Sequence, residues 1–149
     1  MQNQEFINTK GSLNIVLTNE VGQETTNITV PNLVVSTGKS WIAARMANTG
    51  QPVQMTTMAV GSNNQAVVVA DTGLYGYLAN VALTTPGGTV VTNTVTYVAS
   101  FVAGTGTGAV QEAAVLTAAG GTMLCRTVFP VVNKGAGDSM TITWNVTLS

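Results

Sequence analysis

Histidine is absent from the chain, cysteine occurs once, and charged residues make up only 7% of it. Without histidine, the usual general base, the commonest zinc ligand and the pH switch near neutrality are missing together. Cys125 stands alone, so no internal disulfide can form. The five basic residues, Lys10, Lys39, Arg45, Arg126 and Lys134, are scattered and opposed by six acidic ones. They form no phosphate-neutralising stripe, and nucleic acid is not an expected partner. No apolar run approaches the ~18 residues that cross a bilayer. The N-terminal MQNQEFINTK also lacks the basic start and apolar core of a secretion signal. Neither membrane nor export is expected.

Scarce charge also says something about the surface. A 149-residue chain fits one domain with one core. Surface scaling gives such a domain about 7,000 Å² of exposed area, which leaves about one charge per 600 Å². Soluble monomers usually carry far more. Much of this surface is therefore expected to face other protein chains.

What the chain has in abundance is β-branched side chains: Thr, Val and Ile together supply 51 residues. These lose rotamer freedom in helices and pack well on a pleated surface, so the composition predicts an all-β fold. Met140, Ile142, Trp144, Val146 and Leu148 alternate strictly with Thr141, Thr143, Asn145 and Thr147, the period of a strand with one buried face. Residues 13–17 alternate likewise, and Asn19-Glu20-Val21-Gly22-Gln23 reads as a hairpin loop into a strand over 26–30. Pro31 is expected to end that strand, having no amide proton for a ladder. Further strands are predicted over 53–60, 65–70, 75–84, 89–102, 109–116 and 121–129. Residues 39–47, rich in helix formers and carrying Trp41, Ile42 and Met46, predict one short helix that plugs an open end of the fold. The expected architecture is a single-domain antiparallel β-sandwich, jelly-roll or immunoglobulin-like, of about eight to ten strands over residues 12–149. A polar N-terminal arm, residues 1–11, precedes it. Trp41, Trp144, Leu13, Ile15, Ile28, Tyr97, Phe101 and Phe129 are the expected core.

Motifs that suggest chemistry each have a plainer explanation. Val67 to Gly73 runs an apolar segment into Asp71-Thr72-Gly73, the tripeptide by which retroviral-type aspartic proteases present a carboxylate. Leu74 and Tyr75 follow where that family has a small residue, so a turn capped by Asp71, with Gly73 at positive φ, is the preferred reading. Gly104 to Gly108 lacks the Lys-Ser/Thr pair or helix opening of a nucleotide loop and reads as a turn or bulge. Cys125 reads as a buried small hydrophobe, while Lys39 or Lys134 would need deep burial to act as a base. Glu20 with Glu24 reads as a solvated turn pair, and nothing in the sequence brings Asp71 to Glu112. Asn133 to Asp138 contains oxygen ligands for calcium but no recognised loop. Asn27-Ile28-Thr29 and Asn145-Val146-Thr147 match the glycosylation acceptor by chance composition. Tyr75, Tyr77 and Trp41 could offer stacking faces for a carbohydrate, with core packing the plainer role. No catalytic, cofactor or metal residue is assigned, and no enzyme activity or cofactor is expected.

Several segments carry a resemblance: Asn32-Leu33-Val34-Val35-Ser36-Thr37-Gly38-Lys39, Met58-Ala59-Val60-Gly61, Val95 to Phe101 followed by Gly104 to Ala113, Gly121 to Phe129, and the closing Thr-Ile-Thr-Trp strand. In this order, across residues 32–148, they resemble small virion structural proteins of tailed bacteriophages. The chain departs from those proteins at Ala114 and Leu116, where they tend to carry Gly and an aromatic residue. The resemblance implies a virion protein, on head or tail, assembled in the host cytoplasm; the lack of a trailing repeat, heptad or glycine-rich shaft and the polar N-terminal segment favour a head decoration or cement protein. The weakly charged surface predicts further copies of itself as partners, in a dimer or trimer, and the head reading adds the major capsid protein. The alternative is a tail, collar or baseplate-fibre component bound to another tail protein, and a carbohydrate-binding surface module is a distant third.

Overall fold

The computed structural model describes residues 8–50 and 52–149. It is an all-β protein, with 52% of residues in strands and 9% in one helix. The strands are β1 (Thr9–Thr18), β2 (Glu24–Val34), β3 (Thr57–Gly61), β4 (Tyr77–Ala82), β5 (Thr89–Val91), β6 (Thr94–Phe101), β7 (Gly108–Leu116), β8 (Met123–Lys134) and β9 (Ser139–Leu148). Helix α1 (Ser36–Ala47) follows β2 directly. All nine strands join in one curled sheet, in the order β4-β3-β7-β8-β2-β1-β9-β6-β5, with every pairing antiparallel.

The half built from β1, β9 and β6 obeys the alternation in its sequence. Leu13, Ile15 and Leu17 on β1, and Met140, Ile142, Trp144 and Val146 on β9, are buried, while the threonines between them face outward. The inner side chains pack with Tyr97, Ala99 and Phe101 of β6 into the main core. Thr9, Lys10 and Gly11, expected in the arm, belong to β1, and residues 1–7 lie outside the described residues.

The other half behaves differently. All five residues of β3 are buried, as are most of β7 and β8. A surface buried on both faces needs a cover, and the irregular segment 62–76 supplies part of it. On the main-core side α1 packs against β8 and sets Trp41 and Ile42 on the core. Gly38 sits where the helix backbone meets that strand, and a Cβ there would overlap the Leu124 carbonyl. Thr37 donates its hydroxyl to the Met123 carbonyl at 2.7 Å.

Five expectations are corrected here. β2 does not stop at Pro31 but runs on to Val34: it leaves β1 after Asn32 and joins β8 through Leu33 and Val34, while the Pro31 carbonyl accepts the Thr127 hydroxyl at 2.7 Å. The helix begins at Ser36 rather than 39, because Ser36-Thr37-Gly38 is its anchored first turn. Residues 65–70 form no strand, and 89–102 is split into β5 and β6 by a two-residue turn at Thr92, whose φ is 56°, and Asn93. Trp41 and Ile28 are half-buried at the margin of the core rather than inside it.

Candidate functional site

The densest polar constellation in the described residues lies beneath segment 62–76. Arg126 comes from the middle of β8, Glu112 from β7 and Asp71 from the covering segment, and all three are buried. Arg126 Nη1 donates to Asp71 Oδ2 at 3.0 Å. Its Nε and Nη2 both donate to Glu112 Oε2, at 3.1 and 2.8 Å, and Nη2 also reaches the Gln65 carbonyl at 3.0 Å. A buried guanidinium with this many charge-assisted partners is tightly held.

The carboxylates are equally occupied. Asp71 Oδ1 accepts the Tyr75 hydroxyl at 2.7 Å, and Oδ2 accepts the Val68 backbone N–H at 3.0 Å. Glu112 Oε1 accepts the Gly76 N–H at 2.6 Å, and Oε2 accepts that of Tyr75 at 3.2 Å. Burial alone would raise the Asp71 carboxyl, but the Val68 N–H, the Tyr75 hydroxyl and the Arg126 guanidinium together hold it below its usual range. The bond to Asp71 in turn raises the Tyr75 hydroxyl above its ordinary value. The Tyr75 ring covers the guanidinium at 4.7 Å, closing the stack from outside.

This arrangement clamps a loop. The Asp71 carboxylate does cap its own turn, through Val68, but Gly73 keeps a negative φ, so that part of the turn reading is corrected. An aspartic-protease dyad needs a carboxylate open to substrate and sharing a proton with a second one. Asp71 is closed off and ion-paired instead. Asp71 and Glu112, which no local sequence feature links, meet through Arg126. The signal for that hub was present in the sequence, since a lone arginine inside an apolar strand must find partners or cost stability.

The other candidates are placed apart. Lys134 is buried, and its ammonium donates to the carbonyls of Val102 at 3.0 Å and Asp138 at 2.6 Å. Burial holds its pKa below the ordinary lysine value. In the 133–138 turn the ammonium thus takes the Asp138 carbonyl oxygen that a calcium ion would need, and the Asp138 carboxylate accepts the Gly135 N–H at 2.8 Å. Among the described residues no three potential metal ligands cluster. Gly104, Gly106 and Gly108 all take positive φ in the β6–β7 connection, as a turn requires. Cys125 is fully buried, and burial pushes its thiol well above the usual range. Glu24 accepts the Asn27 amide at 2.7 Å, whereas Glu20 packs over Gly137. Tyr77 and Trp41 line separate depressions, so the aromatic side chains do not converge on one platform.

No protein-family model, curated protein or solved structure matches the chain. No helix among the described residues is long and apolar enough to cross a membrane.

Proposed function

We propose that the chain is a non-enzymatic structural protein of a tailed-bacteriophage virion, a head decoration or cement protein that binds the capsid exterior and reinforces contacts between neighbouring capsid subunits. The observation that carries the assembly part of this reading is the surface. Four of the eleven charged side chains, Asp71, Glu112, Arg126 and Lys134, are used inside the fold. That leaves at most seven charges for 7871 Å², about half the density that composition alone suggested. Val90, Val91, Val53, Val102 and Tyr77 stand at least 59% exposed on that surface. A weakly charged exterior with apolar side chains on its edge strands, Tyr77 on β4 and Val90 and Val91 on β5, favours association over isolation. The virion setting rests on the phage-like segments between residues 32 and 148. Many weak contacts repeated over a lattice stabilise by avidity, with no chemistry at any one of them.

The test is copy number in purified particles, by quantitative mass spectrometry. Hundreds of copies, together with binding to emptied heads and a raised heat resistance of those heads, support the cement reading. About six to eighteen copies confined to tails, the numbers that tail symmetry allows, would place the chain in a tail or collar instead.

A further inference from the structure

β1 has strand partners on both sides only as far as Gly11. Its ladder to β9 continues to Thr9, opposite Leu148, and the Asn8 and Ser149 backbones exchange two further bonds of 2.7 and 2.8 Å. On the other side the ladder to β2 ends at Gly11 and Asn32, because β2 departs there to join β8. The fork opens into a groove of about 780 Å³, walled by Leu33, Ile42, Ala43, Met46 and Leu148, with Lys39 its one charged residue among those described. Met46 is 74% exposed. An apolar slot therefore lies beside Thr9, whose backbone N–H and carbonyl face the open side, since those of Asn8 are turned to Ser149 and strand backbone groups alternate. Those are the two features that an extended peptide needs for strand addition: backbone groups to pair with and side-chain pockets.

We propose that this groove receives residues 1–7 of a second copy of the chain, reciprocally, about a two-fold axis at the groove mouth. Asn8 and Thr9 line the groove, so the segment MQNQEFI is rooted at its rim. The segment carries Phe6 and Ile7 as apolar anchors and Glu5 as the charge complement of Lys39. Its own groove is poorly placed to take it. The bonds to Ser149 hold Asn8 in line with β1, and a return would use up Phe6 and Ile7 in the reversal. Root and receptor share one surface, so a single axis satisfies both copies and the contact closes. Seven residues span at most about 23 Å when fully extended. The proposal deepens the assembly reading above and rests on it for its biological role only.

Sedimentation equilibrium of the full chain against a chain lacking residues 2–7 provides the first test. The full chain dimerises, and the truncation weakens the dimer by about tenfold or more, as expected when anchors in a central pocket are lost. Met46→Glu, at an exposed position that leaves the fold intact, weakens it similarly. Glu5→Lys and Lys39→Glu each weaken it, and together they restore it. Mixing Ile7→Cys with Met46→Cys under mild oxidation yields a 7–46 link between copies, while buried Cys125 stays out of the exchange. Dimerisation unchanged by truncation, a chain that stays monomeric at high concentration, or no 7–46 link between copies overturns the proposal. A double Ile7→Cys/Met46→Cys variant that closes only within one chain also overturns it, by placing the segment in its own groove. None of these results alters the particle copy number, so the cement reading stands or falls separately.

Discussion

The two halves of the sheet solve burial in opposite ways. In the β1–β9–β6 half one face is apolar and the other is a field of threonines and asparagines joined across strands, such as Thr96 to Asn145 at 2.7 Å. In the β3–β7–β8 half both faces are buried: segment 62–76 closes the outer one, with Leu74 over Ala59, Ala114, Leu116 and Met123, while α1 sets Trp41 and Ile42 against the main core. A strand fixed by alternation needs only its own sequence and a neighbour. A doubly buried strand needs a lid, and this lid is an irregular segment with little regular hydrogen bonding to hold it. The Asp71–Arg126–Glu112 network supplies that hold, which is why the polar groups concentrate in the half that looks more apolar.

That contrast predicts where the protein is fragile. Arg126→Met leaves two carboxylates buried with no cation between them, and breaking such a site costs about 3–5 kcal/mol. Urea denaturation at pH 7 reads this directly. A loss below about 1 kcal/mol would mean that the lid is held by its apolar contacts and not by the ion network. Gly38→Ala tests the other cover. The added methyl meets the Leu124 backbone, which cannot rotate away, so α1 must shift off β8 at a cost of about 1–3 kcal/mol. An unchanged melting temperature would show that α1 slides freely and covers β8 only loosely.

Acid sharpens the comparison further. The Asp71 carboxyl titrates below its unfolded value, so its contribution is complete above about pH 4 and is lost as pH falls through the lower, folded value. The wild type is therefore expected to lose stability as pH falls below about 4. Asp71→Asn removes that part of the acid slope while costing about 1–3 kcal/mol at pH 7, through its lost charge-assisted bonds. Amide exchange should locate the acid-sensitive step in segment 62–76, with the β1–β9 ladder protected throughout. Equal loosening of both halves would contradict the separate-lid account.

The same contrast explains what was legible beforehand. The alternation of β9 predicts Trp144 and Ile142 inside and Thr141 and Thr143 outside, and so they lie. Nothing periodic marks segment 65–70, where Val67-Val68-Val69 has the composition of a strand. Its conformation is set instead by Arg126, more than fifty residues away in sequence. Ser36-Thr37-Gly38 resembles a turn locally, yet the bonds of Thr37 and Val35 to the β8 backbone make it the start of a helix. Local periodicity carries the open half, and long-range polar pairing carries the covered one. The Asp71–Glu112 meeting was illegible for that reason, although an arginine between Cys125 and Thr127 was a visible demand for acidic partners.

The smallest effect belongs to the outer face of the open half. Thr147 and Thr94 share a hydroxyl bond of 2.8 Å across β9 and β6, whereas Thr141 and Ser100, six residues further along the same pair of strands, stand at 3.5 Å. Thr147→Ala is therefore expected to cost about 0.2–1 kcal/mol, the range for a cross-strand pair, and Thr141→Ala less than Thr147→Ala. The two substitutions remove the same atoms from the same strand, so their β-propensity losses nearly cancel and the difference isolates the hydrogen bond. If both proved equal, the outward threonines would serve only as strand formers. If either cost several times more, the outer face would be buried in solution by a partner, and the wet half of the comparison would have to be redrawn as an interface.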